Sequence, residues 1–240
     1  MSARALPPGE LHLWRLSLEL PAAAQAAAEA MLAPEEQQRA ARFHFAADAL
    51  AFTAARGQLR QVLGAYQDCA PAALTFAANE YGKPHLSAPL VPLHFNLAHS
   101  GTWALVSLSA AEPVGVDVEA IRPLTDRAAI ARRFFAPGEA QRLAALPEPE
   151  QEAAFFRCWT RKEAYIKARG LGLTLPLDAF EVTLDPGQPR LLWVLADATE
   201  PAAWQMAEPT MPAGYAAAIA VRATAVTVVD CGVWPATADT

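Results

Sequence analysis

The sequence predicts an α+β protein built as two halves that meet near residue 110, spanning 1–109 and 110–240. Three observations lead there. Stretches of strand-like and helix-like hydropathy come in the order strand, helices, strands, then helices and strands again, which is not the strict alternation of a doubly wound sheet. With 240 residues, 53% hydrophobic and only 18% charged, the chain has the length and apolar content for a real core and too little charge for disorder. A sequence echo crosses the division: Arg42-Phe43 opens ARFHFAADALAF and Arg133-Phe134 opens RRFFAPGEAQRL.

The elements follow in order. LHLWRLSLEL (11–20) alternates as a first strand. The alanine-rich run AAAQAAAEAMLAPEEQQRAARF is helix-forming and is interrupted at Pro34, which suits the first turn of a second helix. AADALAFTAARGQLRQVLG (46–64) predicts a longer helix closed by Gly64. Strands are expected near 73–77, 93–97, 103–109 and 114–119. RRFFAPGEAQRLAAL and EQEAAFFRCWTRKEAYIKARG are helical, and late strands follow near 180–184, 190–195, 204–207 and 215–222. The last twenty residues predict one more strand and then a loose tail.

Bulk chemistry excludes several classes. A net charge of −6 gives no global field to attract nucleic acid, so an anionic ligand must be held by a local basic cluster. Cys69, Cys158 and Cys231 are odd in number and far apart, which argues for a reducing compartment and against structural zinc. The start MSARALPPGELHLW lacks a basic-then-apolar signal pattern, and no run of 18 apolar residues follows. The expectation is a cytoplasmic protein without a membrane partner.

Three places carry chemistry. In GVDVEAI (115–121), Asp117 and Glu119 fall on one face of a strand, because side chains alternate. Two like charges that close sit either in water at a sheet edge or around a cation, and Mg²⁺ takes carboxylate and phosphate oxygens. In FFRCWTRKEAYIKARGLGL (155–173), Arg157, Arg161, Lys162, Lys167 and Arg169 surround the single acid Glu163. Five cations in thirteen residues of an acidic chain suit a polyanion, although Glu163 and Lys167 alone make an ordinary i,i+4 surface pair. In NEYGKPHL (79–86) and HFNLAHSG (94–101), Gly82-Lys83-Pro84 forms a turn that offers a point charge, and His99 and Ser100 offer phosphate donors at a strand end. Ser100 is a poor nucleophile, since its sequence neighbour His99 cannot easily reach its hydroxyl and no G-x-S-x-G elbow exists.

Taken in order, RFHFAADALAFTAARGQLR, NEYGKPHL, FNLAHSG, GVDVE, RRFFAPGEA, WTRKEAYIKARGLGL and LPLDAFEV resemble the 4′-phosphopantetheinyl transferases, specifically the monomeric type that activates surfactin synthetase. The likeness runs from about residue 34 to 184. It implies a pseudodimer of two similar α+β halves with the active site in the cleft between them. It implies transfer of the 4′-phosphopantetheine arm of coenzyme A to a serine of an apo acyl or peptidyl carrier protein, with release of adenosine 3′,5′-bisphosphate. Asp117, Glu119 and Glu163 match the family's magnesium ligands, and Mn²⁺ suits the same oxygens. Glu163, directly or through a water, would take the serine proton, and Lys167 would stabilise the departing phosphate. Lys162 would be a further electrostatic partner. Arg42 and His99 resemble positions that contact the nucleotide's phosphates, and Gly82, Lys83 and Pro84 the adenine and phosphate wall.

Three departures stand out. Many relatives have serine at Ala98, some have arginine at Ala51, and many have a basic residue at Ala120. The first two imply a weaker grip on the 3′-phosphate unless Arg39, Arg42 or Arg56 compensates. For the acidic carrier, RPLTDRAAIARRFF (122–135) offers Arg122, Arg127, Arg132 and Arg133 beside Phe134 and Phe135. The rival readings are a non-catalytic CoA or nucleotide-binding module and a metal-dependent phosphohydrolase working on nucleotides.

Overall fold

The computed structural model describes residues 4–235. The chain runs β1 (Glu10–Ser17), α1 (Ala22–Ala30), α2 (Pro34–Ala40), α3 (Ala46–Gln67), β2 (Phe76–Ala78), β3 (Pro84–Leu86), β4 (His94–Ser100) and β5 (Trp103–Ser109). It continues with β6 (Val114–Ala120), α4 (Arg127–Phe134), α5 (Pro137–Ala145), α6 (Glu148–Arg169), β7 (Phe180–Val182), β8 (Leu191–Val194), β9 (Gln205–Ala207), β10 (Tyr215–Val221) and β11 (Thr227–Trp234). The α+β class expected from the sequence is present. The first sheet has the order β11-β1-β5-β4 and the second β6-β10-β9, with β2–β3 and β7–β8 as separate hairpins.

Apolar alternation stacks these elements in four layers. Leu59, Val62 and Leu63 of α3 pack on Trp14, Leu16, Val106 and Leu108 of the first sheet. The opposite face of that sheet meets the second through Leu11, Leu13 and Leu105 against Val114, Val116, Val118, Ile219 and Val221. Helix α6 covers the outer face of the second sheet, with Ala164, Ile166 and Ala168 in the same cluster as Ala216, Ala218 and Ala220. The small residues of YAAAIAV therefore face the helix. Strand β6 is buried on both sides. Its three valines contribute roughly 1.5–3 kcal/mol each, enough to offset the cost of carrying a carboxylate on the other face.

The structure differs from expectation in three places. Helix α3 does not close at Gly64; it runs to Gln67, and Asp68 caps it in the left-handed region at φ 48°. Gly64 lies inside the helix because a Cβ there would stand 2.8 Å from the carbonyl of Cys69. Arg42-Phe43 follows α2 whereas Arg133-Phe134 ends α4, so this echo does not join equivalent positions. The structural repeat is Ala-Pro-x-Glu. Ala33 and Ala136 each precede a proline, and Glu36 and Glu139 three residues later reach back to their amides at 3.0 and 2.9 Å. Both glutamates are buried and paired with the following 22-residue helix, Glu36 with Arg56 and Arg60, Glu139 with Lys162. The predicted last strand forms as β11, but it returns to the first sheet, parallel to β1. The tail expected after it lies outside the described residues.

Candidate active site

Gly115 brings α6 onto β6. A Cβ at that position would stand 2.1 Å from the carbonyl oxygen of Ala164 and 2.3 Å from the nitrogen of Ala168, so only glycine admits the helix here. Positions 115, 117 and 119 share one face of the strand, and that face meets the helix. Glu163 and Lys167, one helical turn apart, project to the same place. Lys167 Nζ donates to Asp117 Oδ1 at 2.5 Å. Asp117 is 5% exposed, and its Oδ2 is buried with no hydrogen-bond partner. Glu119 Oε2 accepts from Ser100 Oγ at 2.8 Å and lies 3.8 Å from Arg122.

Burial pushes the Asp117 carboxyl up to about 7 against the opposing charge of Lys167, and Glu163 and Glu119 push the same way as burial. Burial likewise raises Glu163, with Lys167 opposing and Glu119 adding. The three acids thus form one electrostatic unit with a single lysine.

Glu163 and Lys167 of this unit open into a cavity of about 300 Å³, lined also by Ile166 of α6, Asn96 and Leu97 of β4, and the Tyr81–Pro84 turn. Asn79 builds that turn. Its Oδ1 accepts from the amides of Tyr81 and Lys83, and its Nδ2 donates to the carbonyl of Gly170 at the end of α6. Lys83 Nζ donates to the carbonyls of Val114 and Ala168, and burial lowers its ammonium to about 8. At the outer end of β4, His99 is exposed. Partial desolvation of the ring and the cations Lys167 and Arg39 lower its imidazole, opposed by Glu119 and Asp48.

Two family models meet on this chain without overlap. Residues 21–112 match the description 4′-phosphopantetheinyl transferase, N-terminal, and residues 113–220 match the 4′-phosphopantetheinyl transferase superfamily. The 4′-phosphopantetheinyl transferase HetI of Nostoc sp. is 38% identical over 214 residues, covering 88% of this chain and 87% of its own length. This chain belongs to the 4′-phosphopantetheinyl transferases. It is also similar to Sfp of Bacillus subtilis, at 35% over 153 residues (64% of this chain, 66% of that one), and to AcpT of Salmonella typhimurium, at 46% over 91 residues (38% and 47%).

The transferase's structure places Glu163, Lys167, Lys83 and Pro84 on one cleft, with Asp117 bound to Lys167 beside it and Glu119 close enough to repel Asp117 and Glu163, and sends the other basic residues elsewhere. Lys162 is a correction. It is 0% exposed, bound to Glu139 at 2.7 Å and to the carbonyls of Leu177 and Phe180, and it packs on the Phe180 ring. Five residues before Lys167, it lies about 140° around α6 from that lysine, on the core side and away from the cleft, where it serves the second half as Arg60 serves the first. Arg161 is buried on Thr183, Asp185 and Glu208, Arg157 donates to the Leu184 carbonyl, and Arg169 pairs with Glu200. Of the five cations, only Lys167 faces the acids.

Ser100 Oγ donates to Glu119 Oε2, so its hydroxyl proton is engaged by that carboxylate. Arg42 is exposed in the α2–α3 connection. Arg56 is committed to Glu36 and is not free to grip a phosphate. Phe135 is 3% exposed and stacks on Phe155, so only Phe134 remains at the surface beside Arg132 and Arg133. Ala98 packs in the apolar layer between the sheets, and Ala51 lies against the first core. Asn79, Asn96 and Gly115 went unassigned in the sequence; an asparagine among the apolar residues of a strand was the available signal for Asn96.

Among the described residues, no group of three His, Cys, Asp or Glu side chains stands ready-made as a metal cage. The donor set nevertheless fits Mg²⁺. It is all oxygen, one buried carboxylate oxygen has no partner, and a cation that leans on substrate phosphate and water needs few protein ligands. No helix of the described residues is long and apolar enough to cross a membrane.

Proposed function

We propose that the cleft between β4, α6 and the Tyr81–Pro84 turn, with the acids of β6 beside it, is where this transferase moves the 4′-phosphopantetheine group of coenzyme A onto a carrier-protein serine. The family assignment carries the activity. The observation that carries the site is Asp117, half neutralised by Lys167 and half unpartnered, in mutual repulsion with Glu119 and Glu163. An arrangement that costly has a use if phosphate and a cation complete it.

Asp117, Glu119 and Glu163 would hold Mg²⁺, or Mn²⁺, together with the CoA pyrophosphate. When bound, the metal supplies charge neutralisation at that pyrophosphate. The serine oxygen attacks the phosphorus next to pantetheine, the bond to the departing adenosine 3′,5′-bisphosphate breaks, and the serine proton passes to Glu163. Burial suits Glu163 to that task by raising its basicity toward neutral pH. Lys167 offers its ammonium to the leaving phosphate. His99, held neutral, donates an N–H to phosphate, and Arg39, near enough to depress that imidazole, is the candidate for the 3′-phosphate in place of the groups absent at Ala51 and Ala98.

Arg122, Arg132, Arg133 and Phe134 form the docking patch for an acidic carrier. Both halves lie on one chain, which supports a monomer, and three free cysteines support a reducing, cytoplasmic setting. The test is product analysis with CoA, Mg²⁺ and an apo carrier. Equimolar adenosine 3′,5′-bisphosphate and protein-bound arm is expected; free phosphopantetheine would mean hydrolysis and overturn the reading.

A further inference from the structure

We infer that Ser100 is a positioning residue that aims the Glu119 carboxylate, so that the first half of the chain sets the direction of a ligand carried by the second. The inference rests on the reading of Asp117, Glu119 and Glu163 given above. Ser100 Oγ donates to Glu119 Oε2 at 2.8 Å and accepts the backbone N–H of Ala120 at 3.1 Å. Four residues earlier, Asn96 Oδ1 accepts the N–H of Val116 at 2.8 Å.

Strands β4 and β6 belong to different sheets and share no backbone ladder. The side chains at 96 and 100 therefore supply, four residues apart, the acceptors that the amides of 116 and 120 would otherwise lack. The tip that carries Ser100 is fixed from the far side as well. Tyr215, paired with Ala120 across β6–β10, accepts the N–H of Thr102 at 3.0 Å. Gly101 turns with φ +57°, and a Cβ there would stand 2.5 Å from the Tyr215 hydroxyl.

Hydrogen bookkeeping separates this role from a phosphate contact. A serine hydroxyl has one proton, and here it goes to Glu119, leaving none to donate to a phosphate oxygen. Without Ser100, the nearest basic group to Glu119 is Arg122 at 3.8 Å, whose side chain is 62% exposed, and the carboxylate would follow it outward.

The test compares Ser100→Ala, Ser100→Thr, Glu119→Gln and the Ser100→Ala/Glu119→Gln double variant. Mn²⁺ binding to the enzyme–CoA complex is read by electron paramagnetic resonance, and CoA affinity is read separately in EDTA. Loss of an outer-shell hydrogen bond weakens metal binding about 10- to 100-fold, and that loss is expected for Ser100→Ala. Its CoA affinity in EDTA stays at the wild-type value, Ser100→Thr recovers Mn²⁺ binding, and Ser100→Ala adds no further loss to Glu119→Gln. Wild-type Mn²⁺ affinity in Ser100→Ala would overturn the inference alone. So would a loss of CoA affinity in EDTA, which would make Ser100 a phosphate contact. Failure of the wild-type complex to bind Mn²⁺ would overturn the carboxylate reading and this inference together.

Discussion

Replacing Asp117 with asparagine should make the metal-free protein more stable while abolishing transfer. The carboxyl ionises at 3.8 ordinarily and at about 7 in the fold, a rise that corresponds to about 4 kcal/mol. Because the folded value is the higher one, the group's contribution is fully present below pH 3.8 and lost as pH rises through about 7. At pH 8 the wild type bears the whole penalty, and asparagine bears none. The variant's amide nitrogen takes the place of the orphaned Oδ2 and offsets roughly 1–3 kcal/mol, leaving a net gain of about 1–3 kcal/mol. At about 2–4 °C per kcal/mol for a chain of this size, melting in EDTA at pH 8 should rise by several degrees. The advantage should shrink by about 2–3 kcal/mol on going to pH 5, where the wild-type carboxyl is protonated in the fold. A variant less stable than wild type at pH 8, or a difference that does not change with pH, would refute the reasoning.

Gly115→Ala should push α6 off β6, because the new methyl meets the Ala164 carbonyl; a cost of about 1–3 kcal/mol or more is expected, with kcat falling further than the melting shift accounts for. Lys162→Met strands the buried Glu139 and should cost about 3–5 kcal/mol by denaturant titration. Adding Glu139→Gln should recover much of that, and CoA affinity of the folded protein should be unchanged throughout; a specific loss of CoA binding would return Lys162 to the site. Charge reversal at Arg132 and Arg133 together should raise KM for an acidic carrier several-fold, more so at low salt, while KM for CoA holds.

How much was legible in the sequence follows from which residues act locally. GVDVE could be read because strand alternation alone puts Asp117 and Glu119 together and the valines opposite. The partner of that face could not, since it depends on Gly115 admitting α6, a contact between residues some fifty positions apart. The run of cations in WTRKEAYIK misled for a related reason. Sequence neighbours on a helix point around its whole circumference, so Lys162 is bound in the core to Glu139 whereas Lys167 faces the cleft and Asp117. NEYGKP was legible as a turn, but its anchor, the Asn79 bond to Gly170, joins distant segments. The duplication was sensed through Arg-Phe and lay in Ala-Pro-x-Glu, where a capping box and a buried ion pair recur in both halves. Helix α3 overran Gly64 because close packing, not chain reversal, set the need for glycine there.

The central claim is that the acids of β6 and α6 work as one unit to transfer the arm. Intact-mass analysis of an apo carrier domain, incubated with the enzyme, CoA and Mg²⁺, tests it most directly, alongside an EDTA control and the Glu163→Ala variant. The account predicts a gain of one phosphopantetheine arm with the wild type and none in either control. Full modification by Glu163→Ala, or in EDTA, would contradict it.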